Sequence, residues 1–322
     1  MAPPPTTRLA PSPTGALHLG NARTFLVNWA LARQRGWRVL LRIEDLDGPR
    51  IKAGAVDQAI RTLRWLGLDW DAGPVHQSHD LQPYQAALQA LAQAGKAYPC
   101  RCTRAEIAAA AALSAPHADA HDVRYSGACR PRRTAPIDFQ QTAGVRAAWR
   151  VRTPDAAVRF VDGFRGEVSH NVQQSVGDFV VATKAGLPSY QLAVVVDDAR
   201  QGVTHVVRGD DLLTSTPRQL LLYDRLGLGD PPGYFHLPMV LGEDGRRLAK
   251  RHGDTRVDYY RRRGISPQRV LGLLAEWSGL GPRQPMTASE FCRQFELGRA
   301  PADPSVFKPE DDAWLLAGAR GS

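Results

Sequence analysis

The sequence predicts an α/β fold built on a nucleotide-binding strand–helix–strand unit, and three observations near its start predict it. A short strand-like run, TTRLA (6–10), leads into a Pro- and Gly-rich turn, PSPTGALHLGN (11–21). From Asn21 to Gln34 the apolar residues Phe25, Leu26, Trp29, Ala30 and Ala32 recur at helical spacing. WRVLLRI (37–43) then concentrates apolar residues as a strand buried in a parallel sheet does. Strand, Gly-rich turn, helix and strand in that order form a βαβ unit of the nucleotide-binding kind.

The elements that follow are read in turn. Helical spacing is present at Asp57–Leu66 and Leu81–Ala94, and an Ala-rich helix is expected at Arg104–Leu113. The polar, His-containing segment SAPHADAHD (114–122) reads as an inserted loop. Between 145 and 183 the runs AAWRVRT, VRFVDGF and DFVVAT alternate apolar and polar residues, as small antiparallel strands do. QLAVVVDDA (191–199) reads as another buried strand, and THVVRGDDLL (204–213) as a strand passing into a helix. Helices are expected at Val257–Arg263, Pro267–Ser278 and Thr287–Phe295. No internal repeat and no interdomain linker stands out.

Composition narrows the function classes. Of 322 residues, 43% are apolar and 23% charged, which places the chain among globular proteins rather than disordered ones. There is no run of about eighteen apolar residues, so no membrane-spanning helix is expected. Met1–Pro13 has no apolar core of signal-peptide length, which makes the cytoplasm the expected compartment. A net charge of +9 suits a polyanionic partner, bound through phosphate neutralisation and counterion release.

Two groups of residues carry chemistry. Gly15 and Gly20 let backbone approach a phosphate at a helix N-terminus, and His18 can donate to a phosphoryl oxygen as charge builds up. Cys100, Cys102 and Cys129 lie within thirty residues, while Cys292 is isolated. Three thiolates are good zinc ligands, and a tetrahedral structural site needs a fourth. Spacing alone nominates His117 or His121 for that place, since tyrosine is a rare zinc ligand.

Longer strings carry a family resemblance. Residues 8–50, from RLAPSPTGALHLGN to RIEDLDGPR, resemble glutamyl-tRNA synthetases, with His18-Leu19-Gly20-Asn21 in place of the family's HIGH signature. The likeness extends through YQLAVVVDDARQGVTHVVRGDDLLTSTPRQ (190–219) to RRLAKRHGD (246–254), which resembles the KMSKS loop. It implies a Rossmann-type class I aminoacyl-tRNA synthetase catalytic domain with a zinc-containing insertion and a small C-terminal helical region. The expected divisions are 1–95 and 186–255 for the two catalytic halves, 96–185 for the insertion and 256–322 for the helical region.

The same resemblance implies roles. Arg8, Ala10, Ser12, Glu44, Tyr190 and Arg208 fall at glutamate-binding positions, with Arg8 suited to pair with the side-chain carboxylate and Glu44 with the α-ammonium. ATP falls to His18, Gly20, Asn21, Arg247 and Lys250, with His18 and Lys250 catalytic and Mg²⁺ accompanying the nucleotide. The loop departs from the pattern: Arg247 replaces the first lysine, Ala249 the first serine and Arg251 the last, keeping charge and losing hydroxyls. YPCRCTRAEI followed by YSGACR resembles the zinc site of a short subfamily, the glutamyl-queuosine tRNA(Asp) synthetases, in which Tyr125 would complete the set. About seventy residues follow the lysine-bearing loop, too few for the anticodon domain of the full-length enzymes. The implied partners are L-glutamate, ATP and queuosine-bearing tRNA(Asp), with a monomer expected. Charging of a tRNA 3′ end and a non-catalytic RNA-binding role are the alternatives.

Overall fold

The computed structural model describes residues 3–114, 123–131, 137, 146–246, 248 and 253–318. His117, His121, Arg247, Ala249, Lys250 and Arg251 therefore lie outside the described residues, as does SAPHADAHD after its first residue.

The first half alternates strand and helix: β1 (Thr6–Leu9), α1 (Leu19–Arg35), β2 (Arg38–Ile43), α2 (Ala55–Trp65), β3 (Ala72–His76) and α3 (Gln82–Gln93). β1 pairs parallel with β2, placing Arg8 opposite Leu40, and β2 pairs parallel with β3. α1 is buried on more than one side and ends where Gly36 adopts a left-handed conformation that glycine reaches without a steric penalty. Arg33 and Arg35 occupy its last turn, where the helix dipole favours positive charge.

An antiparallel unit interrupts the alternation. β4 (Ala97–Cys100), β5 (Ala148–Val151) and β8 (Val180–Ala182) form one sheet, with α4 (Arg104–Ser114) following β4. β6 (Ala157–Asp162) and β7 (Gly166–Asn171) form a hairpin, and the short α5 (Val172–Ser175) leads from it to β8. The chain then returns through α6 (Tyr190–Arg200), β9 (His205–Gly209), α7 (Thr216–Leu226) and β10 (Gly233–Leu237). β9 and β10 are parallel, and the Thr204 N–H donates to the Thr6 carbonyl at 2.8 Å. That bond brings two parallel sheets, β3-β2-β1 and β9-β10, side by side from two blocks of the sequence.

The stretch 191–199, expected as a strand, is instead the body of α6, with Gln191–Asp198 all buried. A helix buried on all sides shows no amphipathic period, and its Val-Val-Val run has the composition of a buried strand. The remainder is β11 (Val240–Leu241), α8 (Val257–Arg262), α9 (Pro267–Glu276), α10 (Ala288–Gln294), β12 (Ser305–Val306) and α11 (Pro309–Ala317). Thr287 and Glu290 cap α10 reciprocally, a device legible in TASE.

Among the described residues two large cores, with two smaller clusters beside them, hold these parts. One joins α1 and the strands to the C-terminal helices through Leu26, Leu31, Leu41, Leu273 and Phe291. The other joins α3 and α6 to the insertion sheet through Tyr84, Leu88, Val151, Val181 and Leu192. Burying each such side chain contributes about 1.5–3 kcal/mol. Among the described residues no helix is long and apolar enough to cross a membrane.

Candidate active site

His18 is the N-cap of α1, extended at φ −87° and ψ 161°. Two backbone bonds clamp it against the chain entering α8: the Leu19 N–H donates to Thr255 O at 3.0 Å and the Val257 N–H to Leu17 O at 2.9 Å. His18 Nδ1 lies 2.9 Å from Thr255 Oγ1. With that hydroxyl donating, Nε2 carries the ring proton and can donate onward. Burial lowers the His18 pKa most, Asp254 opposes and Arg256 assists, so the imidazole is neutral near neutral pH. His18 lines a cleft of about 1010 Å³ together with Thr14, Gly15, Lys52, Arg61 and Arg256. A Cβ at Gly20 would come within 3.4 Å of the Val240 side chain, and Asn21 is exposed on the first turn of α1.

The ends of β1, β2, α6 and β9 build a second, strongly charged site. Arg42 is fully buried and donates from Nη1 to Asp198 at 2.7 Å and to Gln201 at 3.0 Å, and from Nη2 to Glu44 at 3.3 Å. Arg8 Nε stands 3.4 Å from the same Asp198 oxygen. Among the described residues the Arg8 terminal nitrogens make no hydrogen bond, so its fork is available to another carboxylate. Burial raises the Glu44 pKa above the ordinary range even though Arg42 and Arg8 oppose the shift. The Glu44 N–H donates to Pro11 O at 3.1 Å, tying this strand end to the turn that carries Ala10 and Ser12. Ser12 is exposed and Ala10 half-buried.

Arg208 lies buried on the neighbouring strand β9. Its Nη1 is 3.5 Å from the Tyr190 hydroxyl, at the first residue of α6. Tyr190 keeps part of its surface exposed; desolvation raises its pKa, Arg208 and Arg8 oppose the shift, and Glu44 and Asp198 add to it. Arg42, Asp197 and Asp198 join these groups, and His236 and Asp162 stand behind Arg208; the sequence alone assigns none of the five a role. A charged residue inside an apolar run, as in VLLRIE and VVVDD, was the available signal.

Away from both sites, the Sγ atoms of Cys100, Cys102 and Cys129 lie within 4.8 Å of one another. Thiolates about 2.3 Å from a shared zinc would stand roughly 3.8 Å apart, so this cluster fits a tetrahedral ion. The Tyr125 hydroxyl receives the Cys100 thiol at 3.3 Å and the Cys129 N–H at 2.8 Å, and Cys102 Sγ is 3.9 Å from it. The Arg150 guanidinium stacks 3.8 Å over the Tyr125 ring. Burial and the neighbouring thiols push Cys102 up to about 11. At Cys129 burial is outweighed by hydrogen bonds from the Arg101 backbone and from Cys102 and Tyr125, which bring it down to about 7.

A family model described as class I tRNA synthetases (E and Q), catalytic domain, matches residues 6–313. The chain belongs to that family. Consistent with a class I synthetase, it is similar to a glutamyl-Q tRNA(Asp) synthetase of Rhodopirellula baltica, 48% identical over 88% of each chain. A protein of the same name from Symbiobacterium thermophilum is 45% identical over 97% of this chain and 98% of its own. A glutamate–tRNA ligase of Heliobacterium modesticaldum is 38% identical over 96% of this chain, which spans 64% of that relative. Among solved structures, a glutamate tRNA ligase from Elizabethkingia meningosepticum, in complex with its amino acid, superposes with a TM-score of 0.79. It is 26% identical and is matched over 97% of this synthetase and 69% of its own chain.

Proposed function

We propose that this class I synthetase activates L-glutamate with ATP and transfers the glutamyl group to queuosine in the anticodon of tRNA(Asp). The amino-acid half of the reading rests on one observation. Two buried guanidinium groups stand on the neighbouring strands β1 and β9, Arg8 linked through Asp198 and Arg42 to Glu44, and Arg208 3.5 Å from the Tyr190 hydroxyl. Glutamate offers two carboxylates and one ammonium, and this arrangement offers two cations and one carboxylate. The acceptor half is supported by relatives named glutamyl-Q tRNA(Asp) synthetase at 44–48% identity, against 38–40% for those named glutamate–tRNA ligase.

In the first step an α-carboxylate oxygen of glutamate attacks the α-phosphorus of ATP, and pyrophosphate leaves. His18 Nε2–H donates to a phosphate oxygen as negative charge grows, and its neutrality keeps that proton on the ring. Arg247 and Lys250 hold the departing pyrophosphate, and Gly20 and Asn21 border the nucleotide. Mg²⁺, when bound with ATP, neutralises phosphate charge. In the second step a ring hydroxyl of queuosine attacks the adenylate carbonyl, AMP leaves, and an ester forms; positioning supplies most of the rate. Cys100, Cys102, Cys129 and Tyr125 would hold a structural zinc ion remote from both steps, fixing the start of α4 and the chain after it.

The direct test is exchange of labelled pyrophosphate into ATP. The purified chain should catalyse it with glutamate in the absence of tRNA, and exchange that appears only on adding tRNA would contradict this reading.

A further inference from the structure

The β6–β7 hairpin belongs to the antiparallel insertion, yet its tip docks on β10 of the parallel sheet. The Gly163 N–H donates to Tyr234 O at 2.8 Å, and a Cβ at Gly163 would collide with the Phe235 ring. This docking delivers Asp162 to His236, both with almost no exposed surface. Asp162 Oδ1 accepts the N–H groups of Phe164, Arg165 and His236 at 3.0, 2.8 and 3.2 Å. Its Oδ2 lies 2.6 Å from His236 Nδ1. A carboxylate with that many donors stays ionised, so His236 Nδ1 must be the protonated nitrogen and Nε2 must carry the lone pair.

The lone pair faces Arg208. His236 Nε2 accepts from Arg208 Nε at 3.0 Å, while Arg208 Nη2 donates to Thr216 Oγ1 at 2.7 Å and to Leu212 O at 3.4 Å. Thr216 Oγ1 is itself 3.1 Å from His236 Nε2. Every hydrogen-bond partner of Arg208 among the described residues is uncharged, whereas Arg8 and Arg42 both pair with Asp198. A buried cation held only by neutral acceptors keeps its full charge for a ligand, and a carboxylate in place of the imidazole would cancel it. An Asp–His pair often serves a base, but here Nε2 is sealed against a guanidinium and reaches no substrate.

We propose that Asp162 and His236 form a positioning dyad that aims Arg208 at a carboxylate of the bound amino acid without neutralising it. Resting on the assignment of Arg208 to glutamate, the proposal deepens that assignment by naming what orients it. His236 is a positioning residue, and its loss should appear in amino-acid affinity rather than in turnover.

Pyrophosphate exchange on the full chain gives the test. His236→Phe keeps the ring stacked beside Tyr234 and removes the acceptor. It should raise KM for glutamate about ten- to hundredfold, with KM for ATP unchanged and kcat within a few-fold. His236→Gln, whose amide oxygen reaches the Nε2 position, should restore most of the affinity. Asp162→Asn reverses the donor at Nδ1, turns Nε2–H toward Arg208, and should raise KM similarly. ¹⁵N NMR of the wild-type chain at about pH 7 should show the Nδ1-protonated tautomer of His236, a readout that does not depend on any variant folding. The proposal is overturned by the Nε2-protonated tautomer, by an unchanged KM in His236→Phe, or by equal loss in His236→Gln. Arg208→Ala separates the two levels: if it leaves KM for glutamate unchanged, the assignment of Arg208 itself fails, whereas a raised KM there with a normal His236→Phe defeats the dyad alone.

Discussion

Arg42 has no exposed surface, and its three hydrogen bonds decide where Asp198 and Glu44 point. Burial disfavours its charge, but Asp198, Glu44 and Asp197 together outweigh that and hold its pKa above the ordinary arginine value. Removing it leaves three carboxylates without their shared cation. Arg42→Ala should lose about 3–5 kcal/mol of stability, read from urea denaturation, and a loss under 1 kcal/mol would contradict the network. For chemistry the corresponding change is His18→Ala, which should reduce kcat for pyrophosphate exchange about a hundred- to a thousandfold with little change in KM for glutamate. Arg8, Glu44 and Tyr190 were legible as candidates because they stand in long family-like strings. Arg42, Asp162 and His236 were not, because each touches these groups through partners that lie far away in sequence.

The elements differ in how plainly their sequence declares them. α1, α2 and α3 show their spacing, and β1 and β2 their apolar runs, so the first nucleotide-binding unit was readable end to end. α6 was not, because burial on every side erases the period that separates helix from strand. The hairpin's docking on β10 was also hidden, since a contact between residues 74 positions apart, Asp162 and His236, leaves no local trace. It has a consequence for acid stability. The buried His236 is pulled below its ordinary pKa by burial, Asp162 opposing, and Asp162 is itself depressed once its hydrogen bonds outweigh burial. For both groups the unfolded chain binds protons more readily, so stability is complete above the unfolded values and lost as pH falls. The melting temperature should fall as pH drops below about 6.5, and fall again through the carboxylate range below about 4. A melting temperature flat between pH 7 and about 5 would contradict the neutral, buried histidine. The thiol cluster is testable at the same scale. Purified chain should carry about one zinc, and Cys100→Ser should lose it and melt lower. Zinc retained in Tyr125→Phe but lost in His117→Ala would move the fourth ligand to the histidine.

At the scale of the whole molecule, Lys52, Arg61, Arg256 and Arg262 line the cleft at His18, and the chain carries a net charge of +9. Such a surface suits a nucleic acid backbone, with binding that weakens steeply as salt rises. An anticodon loop fits this use, since its unpaired bases can be splayed out of the stack and a modified base presented to the adenylate. The family was legible from sequence because its motifs are long; the proposed acceptor nucleoside rests on the resemblance to the short subfamily, since no residue of the chain names queuosine by itself. The measurement that bears most directly on this is the mapping of labelled glutamate on tRNA(Asp) prepared with and without queuosine, and separately with its 3′-terminal ribose oxidised. The label should be found on the anticodon fragment, should require queuosine and should survive oxidation of the 3′ end. Label that persists without queuosine and disappears when the 3′ ribose is oxidised would contradict the proposed acceptor and assign the chain to 3′-end charging.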